Sequence, residues 1–457
     1  MKRLGKYEVR GLLGRGGMAK VYKVALPTLG RLAALKLFQP RPELLLLVSE
    51  DELRKRFKEE ARIMASLRHP NLLEVWDWDE HQGRPFYVMD YLCRNLSAVI
   101  GESGDLEEPT RILTIEEAVD YGLQILAGLD RLHAAGLVHR DVKPGNVLLT
   151  AEDQVRLGDF GLARSGMMQE HEPANLKVGS PYYAAPEQEE DPEQAGPRAD
   201  LYSTGVTLLR LLTGRVHLEP GQKPSGLNPD LDGEWNDFFR QALDPVPNKR
   251  FASAESMAGA LQRLAEAWQK RKEVACALAL YQPPMAAPGA RRAAAIKISP
   301  SKARQAFGLN REWRPRAFAG GGLQELGLEL GLELGPERGP EVLFDPATGL
   351  AWQRQGSRYP ITWPEARAYC QRLAADEWAG MSGWRLPTVD ELLSILRPPA
   401  RAADLCLASA FSPRQRWLWS LDRASFISAW YVSVDMGFVS WQDFSCTFYA
   451  RAVCPRA

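Results

Sequence analysis

The sequence predicts an α+β protein that consists of two domains and a linker. Its 457 residues are enough for two or three domains. Short apolar runs and one long capped helix characterise residues 1–270, and two helix-capping motifs followed by strand-like sequence characterise residues 341–457. Residues 271–340 are rich in Ala, Pro, Arg and Gly, a composition typical of a partly ordered linker. Alternatively, the Leu/Glu alternation over 323–334 forms the first strand of the second domain.

The composition is that of a neutral globular protein and excludes several classes. Lys+Arg and Asp+Glu are both 57, so no overall charge draws the chain to nucleic acid or to an anionic membrane. No apolar run approaches the ~18–20 residues that a membrane helix needs, and no secretory leader opens the sequence. We therefore expect a cytoplasmic protein without a membrane span. The six cysteines include no Cys-x-x-Cys pair, which argues against a zinc site.

One polar stretch holds the residue types that phosphoryl transfer requires. It reads His-Arg-Asp-Val-Lys-Pro-Gly-Asn from His139 and Asp-Phe-Gly from Asp159. Phosphoryl transfer needs an aligned acceptor hydroxyl, fixed phosphates and metal ions that neutralise developing charge. Asp141 can accept the hydroxyl proton, and Lys143 can meet the moving phosphoryl group. Asn146 and Asp159 can hold two Mg²⁺ ions.

With these motifs the sequence resembles the eukaryotic-like protein kinases of bacteria, and its Lys-Pro-Gly-Asn run resembles their Ser/Thr class. The resemblance implies a bilobal protein kinase fold, ATP and Mg²⁺ as cofactors, and protein substrates that accept phosphate on serine or threonine. Every catalytic residue that the family requires is present, so an inactive pseudokinase is not expected.

A glycine-rich turn and a lysine in an apolar strand precede this stretch. Glycines let backbone N–H groups approach phosphates, although such a turn alone is also consistent with a plain hairpin. A lysine in a buried strand is costly unless it is paired, and its natural partners are ATP phosphates and Glu60 of the next helix. Glu59 is the neighbouring alternative, but it points about 100° away around the helix. The candidate nucleotide-binding residues here are Leu13, Gly14, Gly16, Gly17, Val21 and Lys36.

The apolar strand over 86–93 is predicted to run into the hinge between the two lobes. By the resemblance, backbone groups of Asp90 and Leu92 bind the adenine edge, and Met89 lies at the back of the adenine pocket. The resemblance also implies that Asp200, on a buried helix, braces the catalytic loop.

The activation segment follows Asp-Phe-Gly and ends at Glu187, which by the resemblance pairs with Arg250. In the family, Arg140 pairs with a phosphorylated activation segment. This segment contains no threonine, so Ser165 and Ser180 are the candidate phosphorylation sites. Ser180 stands where relatives carry a threonine that contacts the catalytic aspartate, so a structural role for it stays open.

The C-terminal domain resembles the C-type lectin-like fold. Its Thr-Gly-Leu-Ala-Trp run at 348–352 and Trp-Arg-Leu-Pro-Thr run at 384–388 resemble the branch that the Legionella collagen-like protein C-terminal domain shares with formylglycine-generating enzymes. The resemblance implies an α+β fold and not a chemistry. The copper-site cysteine pair of those enzymes and the Glu-Pro-Asn motif of calcium-dependent lectins are both absent, so neither activity is expected.

Residues 417–449 hold ten aromatic residues and six serines. One interpretation is an aromatic β core. The other is a recognition surface of antibody-like composition, similar to the variable domains of diversity-generating retroelements, which use this fold. In a regular strand Trp430 and Tyr431 point to opposite faces, so Tyr431 is predicted to be exposed. The candidate ligand-contacting residues are Trp430, Tyr431, Trp441 and Phe444.

Together these patterns predict a Ser/Thr protein kinase joined to a module that binds a macromolecular or peptide ligand. The competing prediction is a ligand-binding display protein in which the kinase fold serves as a scaffold or signalling output. Nucleic acid is not an expected partner in either case.

Overall fold

The computed structural model describes residues 3–158, 164–165, 182–190, 195–276, 292–316, 324–325, 342–397, 406–407, 411–412 and 414–455. The chain divides into two compact units, Met1–Ala277 and Leu278–Ala457, called here the N-terminal unit and the C-terminal unit. No helix among the described residues is long and apolar enough to cross a membrane.

The N-terminal unit begins with an antiparallel six-stranded sheet of order β1-β2-β3-β4-β6-β5. Helix α2 packs against this sheet, and Ser49 caps it by accepting a hydrogen bond from the backbone N–H of Glu52. The elements are β1 (Arg3–Leu4), β2 (Tyr7–Arg15), β3 (Ala19–Ala25), β4 (Leu32–Phe38), α1 (Pro42–Leu45), α2 (Glu50–Ser66), β5 (Val75–His81) and β6 (Arg84–Asp90).

A mainly helical lobe follows. Its central helix, α4, starts at a capping box formed by Thr114 and Glu117 and stops before Gly136, whose φ of 74° favours glycine. The elements are β7 (Arg94–Asn95), α3 (Leu96–Ile100), α4 (Ile115–Ala134), β8 (Leu137–Val138), β9 (Val147–Leu149), β10 (Val155–Leu157), β11 (Arg164–Ser165), α5 (Pro186–Glu190), α6 (Pro197–Thr213), α7 (Pro224–Leu227), α8 (Gly233–Ala242) and α9 (Ala254–Cys276), with 3₁₀ turns at Pro144–Asn146 and Pro247–Lys249.

The C-terminal unit combines short sheets with three helices among its described residues. Both predicted capping boxes form, at Thr362–Glu365 and Thr388–Glu391. The elements are α10 (Pro300–Ala306), β12 (Gln324–Glu325), β13 (Val342–Asp345), β14 (Leu350–Gln353), β15 (Ile361–Thr362), α11 (Trp363–Ala375), a 3₁₀ turn (Trp378–Gly380), α12 (Val389–Ser394), β16 (Trp417–Arg423), β17 (Ser428–Ser433), β18 (Phe438–Asp443), β19 (Thr447–Phe448) and β20 (Val453–Pro455).

Part of the segment predicted as a linker belongs to the C-terminal unit. Residues 292–316 pack on the sheet β16-β17-β18, and Phe307 lies in the same buried cluster as Trp430. Asp422, which is fully buried, accepts two hydrogen bonds from the Arg292 guanidinium at 2.9 and 2.8 Å. The physical reason is that β17 needs an apolar cover, which residues 342–455 do not complete. Within the alternation over 323–334 the structure describes Gln324–Glu325, which pairs with β13 as the alternative of a first strand predicts; the rest of the alternation lies outside the described residues.

The prediction that Tyr431 is exposed is wrong, because both faces of β17 are covered. Trp430 faces the cluster that includes Phe307, and it is fully buried. Tyr431 faces the other side, where its ring lies 4.4 Å from that of Phe448, and only 2% of it is exposed. The alternation itself holds, but a regular strand can have a core on each face.

Candidate catalytic and nucleotide-binding site

The glycine-rich turn joins β2 to β3. The strands pair Gly14 with Val21 and Arg15 with Lys20, and the Gly16 N–H donates to the Ala19 carbonyl at 2.9 Å. A Cβ atom added at Gly14 would meet no atom within 4 Å. Packing therefore does not require glycine here, and the open space above the backbone suits the close approach of a phosphate. Leu13 is 45% exposed at the same turn, and the neighbouring Gly17 is also exposed.

The predicted pair between strand and helix forms. Lys36 on β4 lies 2.7 Å from Glu60 Oε1 on α2, and both side chains are buried. Pairing of Val21 with Lys36 across β3 and β4 places the pair under the glycine-rich turn. Tyr87 on β6 also donates its hydroxyl to Glu60 Oε1, at 2.8 Å. Sequence reasoning missed Tyr87, although its position two residues before Met89 puts the two side chains on one strand face.

The hinge follows directly from the end of β6. Cross-strand pairing places Asp90 of β6 opposite Ala33 of β4. Ala33 lies three residues before Lys36 on β4. The predicted adenine and phosphate ends of the site are thus about 10 Å apart along β4 at ~3.3 Å per residue, which matches one nucleotide. Arg31 pairs with the Asp90 carboxylate at 2.7 Å on the exposed side of the hinge, while Leu92 is half-buried.

The catalytic loop brings three predicted residues together. Asp141 Oδ2 accepts one hydrogen bond from Lys143 Nζ at 2.7 Å and another from Asn146 Nδ2 at 2.8 Å. Because the Asn146 amide nitrogen is used on Asp141, its Oδ1 is left as the acceptor, the ligand type that Mg²⁺ prefers. The Gly158 N–H donates to the Asn146 carbonyl at 3.0 Å, so the loop is tied to the residue before Asp159.

A buried aspartate braces the loop from below, as the resemblance implies. Asp200 accepts hydrogen bonds from the backbone N–H groups of His139 at 2.9 Å and Arg140 at 2.7 Å. His133 Nε2 lies 2.8 Å from the same carboxylate, a contact that sequence reasoning missed. The φ of Arg140 is 66°, a left-handed conformation that is costly for arginine. The two backbone bonds to Asp200 explain how this conformation is held at the residue before Asp141.

The end of the activation segment is anchored as predicted. Arg250 makes a bidentate pair with Glu187, with both N···O distances at 2.7 Å. Gln188 donates from Nε2 to the Arg140 carbonyl at 2.7 Å and so ties this end to the catalytic loop. Tyr183 donates to Glu102 at 2.5 Å, and burial followed by the charge of Glu102 raises the pKa of its phenol.

Three of the predicted site residues lie wholly or partly outside the described part of the chain. Asp159 and Ser180 lie outside the described residues. Ser165 is described only as backbone, where it pairs with Leu137 between β11 and β8. Their predicted roles in metal binding and phosphorylation therefore stay predictions.

Two family models match the chain. The protein kinase domain model matches residues 7–261, which is more than half of the chain, and the Lcl C-terminal domain model matches residues 341–454. Members of the protein kinase family use ATP and Mg²⁺, the cofactors predicted above.

The chain is similar to protein kinases of several bacteria. The probable serine/threonine-protein kinase SCO3848 of Streptomyces coelicolor is 36% identical over 276 residues, which is 55% of this chain and 39% of that protein. Serine/threonine-protein kinase PknA of Mycobacterium tuberculosis is 32% identical over 276 residues, 56% of this chain and 61% of that protein. The matched region thus spans less than two thirds of these relatives.

Among solved structures, the crystal structure of the Mycobacterium tuberculosis PknI kinase domain is 28% identical, with a TM-score of 0.43, and the match covers 57% of this chain and 97% of that one. The family model, together with the paired Lys36 and Glu60 and the ordered catalytic loop, identifies this chain as a member of the protein kinase family, with an Lcl C-terminal domain following it.

Proposed function

We propose that this protein transfers the terminal phosphoryl group of ATP to serine or threonine hydroxyls of protein substrates. The observation that carries the proposal is the geometry of Asp141, whose carboxylate is oriented by both Lys143 and Asn146. The relatives' names and the family model support the same activity.

The residues divide the work as follows. A substrate hydroxyl that donates to Asp141 is oriented for attack and loses its proton to that carboxylate as the new O–P bond forms. Lys143 stands beside Asp141 and offers positive charge to the transferring group. Lys36, which is paired with Glu60, would bind the phosphates under the glycine-rich turn. Mg²⁺, for which Asn146 and Asp159 are the proposed ligands, supplies neutralisation of phosphate charge.

The test is Asp141→Asn in the full chain, assayed with labelled ATP and a generic basic protein. Loss of the proton acceptor should reduce the rate by about 10²–10⁴-fold. Asp237→Asn, at an exposed position on α8, is the matched control and should keep the wild-type rate. The proposal fails if wild-type protein shows no metal-dependent transfer, or if Asp141→Asn retains full activity.

We propose that activation uses phosphorylation of Ser165 or Ser180. A phosphate there would gain charge-assisted hydrogen bonds from Arg140, and these would order the segment. Mass spectrometry of protein incubated with ATP should find phosphate on one of these serines, and Arg140→Gln should remove its activating effect. Phosphate confined to residues 271–340 would contradict this proposal.

For the C-terminal unit we propose a C-type lectin-like fold that recognises a macromolecular partner and so selects where the kinase acts. The burial of Trp430 and Tyr431 moves the candidate surface to the turn between β16 and β17. Phe426 is 77% and Ile427 is 68% exposed there, and the Ile427 carbonyl accepts a hydrogen bond from the N–H of the half-buried Phe444. Exposed apolar side chains at one turn favour a protein partner.

Photo-crosslinking tests this surface. A photoreactive amino acid at Ile427 should capture one specific protein, whereas the same residue at Tyr359, which is 65% exposed elsewhere in the C-terminal unit, should not. Equal capture at both positions would contradict a surface at this turn. The display-protein alternative, including genetic diversification, predicts a nearby template repeat and reverse transcriptase gene, and it predicts that Asp141→Asn leaves partner capture unchanged.

A further inference from the structure

The N-terminal unit contains a cavity that reaches the glycine-rich turn at Arg15 and Gly16 and extends away from the catalytic loop, towards the first turn of α2. It has a volume of about 490 Å³, within the ~300–1,000 Å³ range of ligand sites. It lies beyond the end of β4, where Phe38 is followed by the loop into α1. Strand pairing puts the hinge residue Asp90 beside Ala33, at the opposite end of β4. The adenine edge therefore lies at the other end of the sheet from this cavity.

The wall of the cavity is predominantly cationic. Its charged lining consists of two carboxylates, Glu43 and Glu50, and four cations, Arg15, Lys20, Arg41 and Arg84. Glu50 already pairs with Arg54 at 3.3 Å. None of the four cations has a carboxylate partner among the residues that the structure describes. The Arg41 guanidinium instead donates to the Arg15 carbonyl at 3.2 Å, so this wall presents an excess of positive charge.

One rim of the cavity is apolar and exposed. Leu45 lines the cavity and is 40% exposed, and the next two residues, Leu46 and Leu47, are 86% and 54% exposed. Three consecutive exposed leucines are unusual on a soluble protein and mark an interaction surface. An occupant must therefore combine negative charge for the wall with leucine-sized apolar side chains for the rim.

The cavity wall is hydrogen-bonded to the glycine-rich turn. The Arg41 N–H donates to the Gly17 carbonyl at 2.8 Å, and the Gln39 N–H donates to the Met18 carbonyl at 3.0 Å. On its other side the cavity reaches Glu50 in the first turn of α2, the helix that carries Glu60. An occupant would thus contact both elements that position the phosphates.

We propose that this cavity is a docking site for an acidic, leucine-containing peptide segment of a partner protein, and that its occupation stabilises the glycine-rich turn. The choice of a peptide rests on charge complementarity with the cationic wall and on the apolar rim. A peptide in which leucines alternate with carboxylates presents the two kinds of side chain on opposite faces, so it offers both the negative charge for the wall and the apolar side chains for the rim.

The test measures binding of a fluorescein-labelled nine-residue peptide of alternating leucine and glutamate to the full chain by anisotropy. Arg84→Glu should weaken binding by at least about tenfold, because the introduced carboxylate repels the carboxylates of the peptide. Leu46→Ser should also weaken it, and a peptide with glutamine in place of glutamate should not bind. The matched controls are Arg62→Glu on exposed α2 surface and Leu29→Ser, where Leu29 is 73% exposed outside the cavity.

The proposal is overturned if the wild-type chain does not bind the acidic peptide, or if Arg84→Glu and Leu46→Ser bind it like the two controls. Sedimentation velocity decides the alternative occupant: a dimer that Leu46→Ser abolishes would assign the surface to a second copy and also overturn the proposal. A second arm rests on the proposed kinase activity and predicts that the peptide lowers the KM for ATP. Because the binding arm needs no phosphoryl transfer, failure of the two proposals is distinguishable.

Discussion

The Lys36–Glu60 pair of the N-terminal unit and the Arg292–Asp422 pair of the C-terminal unit both join elements that are distant in the sequence. The two carboxylates differ in how many of their oxygens accept hydrogen bonds. Glu60 Oε1 accepts from Lys36 and from the Tyr87 hydroxyl, whereas its buried Oε2 has no hydrogen-bond partner among the described residues. Asp422 accepts two bonds from Arg292, one from the Ile296 N–H and one from the Val389 N–H.

This difference is the one that we expect between a pair that meets a ligand and a pair that only holds the fold together. Both carboxylate oxygens of Asp422 accept hydrogen bonds, and half of these bonds come from main-chain N–H groups. These bonds, called here the Arg292 clasp, hold residues 292–316 on the C-terminal unit. Glu60 is held only by side chains, and its Oε2 is left without a hydrogen-bond donor among the described residues. A buried carboxylate oxygen without a hydrogen-bond partner lowers the stability of the fold. Such a loss of stability is expected at a site that a ligand will enter.

The largest expected effect is that of Lys36→Met on phosphoryl transfer. Loss of the cation under the glycine-rich turn should reduce the rate by at least about 10²-fold. Lys58→Met, at an exposed position on the same helix as Glu60, is the control and should leave the rate unchanged. Rates are measured with labelled ATP well below the melting temperature. If Lys36→Met retains most of the activity, the proposed role of the Lys36–Glu60 pair in phosphate binding is wrong, and the two pairs do not differ in function.

The next largest effect is expected from removal of the Trp430 ring, which residues 292–316 help to cover. Trp430 is fully buried, packs 5.4 Å from Phe307 and donates to the Ile298 carbonyl at 3.2 Å. Trp430→Ala should therefore destabilise the C-terminal unit by about 3–5 kcal/mol. Trp441→Ala, at a residue 37% exposed, should cost clearly less. Calorimetry of the full chain gives both values, and equal losses would contradict the burial difference.

A smaller effect is expected for the clasp itself. Asp422→Asn keeps the shape of the side chain but turns a donor toward the N–H of Ile296 or Val389, which should cost about 3 kcal/mol of unfolding free energy. Asp390→Asn is the control, because its bond to Arg292 Nε at 2.9 Å is partly exposed and should contribute less than about 1 kcal/mol. Denaturant unfolding measures both. Kinase activity should be unchanged in Asp422→Asn, unlike in the variant at position 36.

The smallest expected signal is the reaction of a buried thiol. Burial raises the pKa of the Cys370 thiol to about 12, only partly offset by the charge of Arg385. Iodoacetamide at pH 8.5 should therefore modify Cys370 only after unfolding, as peptide mass spectrometry would show. Because the unfolded thiol loses its proton at lower pH than the folded one, this group should lower stability as pH rises from about 9 to 12. Rapid labelling of native protein would contradict the burial.

The sequence by itself determined the chemistry of the N-terminal unit. Asp141, Lys143 and Asn146 lie within six residues, so local chain geometry brings them together once a loop forms there. The partners of Lys36 could also be predicted, because a lysine in a buried strand requires an acid and the next helix offers one at Glu60. The capping boxes of three helices could be predicted as well, because the two residues that form a capping box lie within one helical turn.

Only the tertiary structure decided which aromatic residues of the C-terminal unit are covered. Alternation placed Trp430 and Tyr431 on opposite faces of β17, but it carries no information about what lies over each face. Residues 292–316, more than one hundred positions earlier in the chain, cover one face, and Phe448 with its neighbours covers the other. Burial is a property of packing between distant segments, so a local pattern fixes the direction of a side chain and not its exposure.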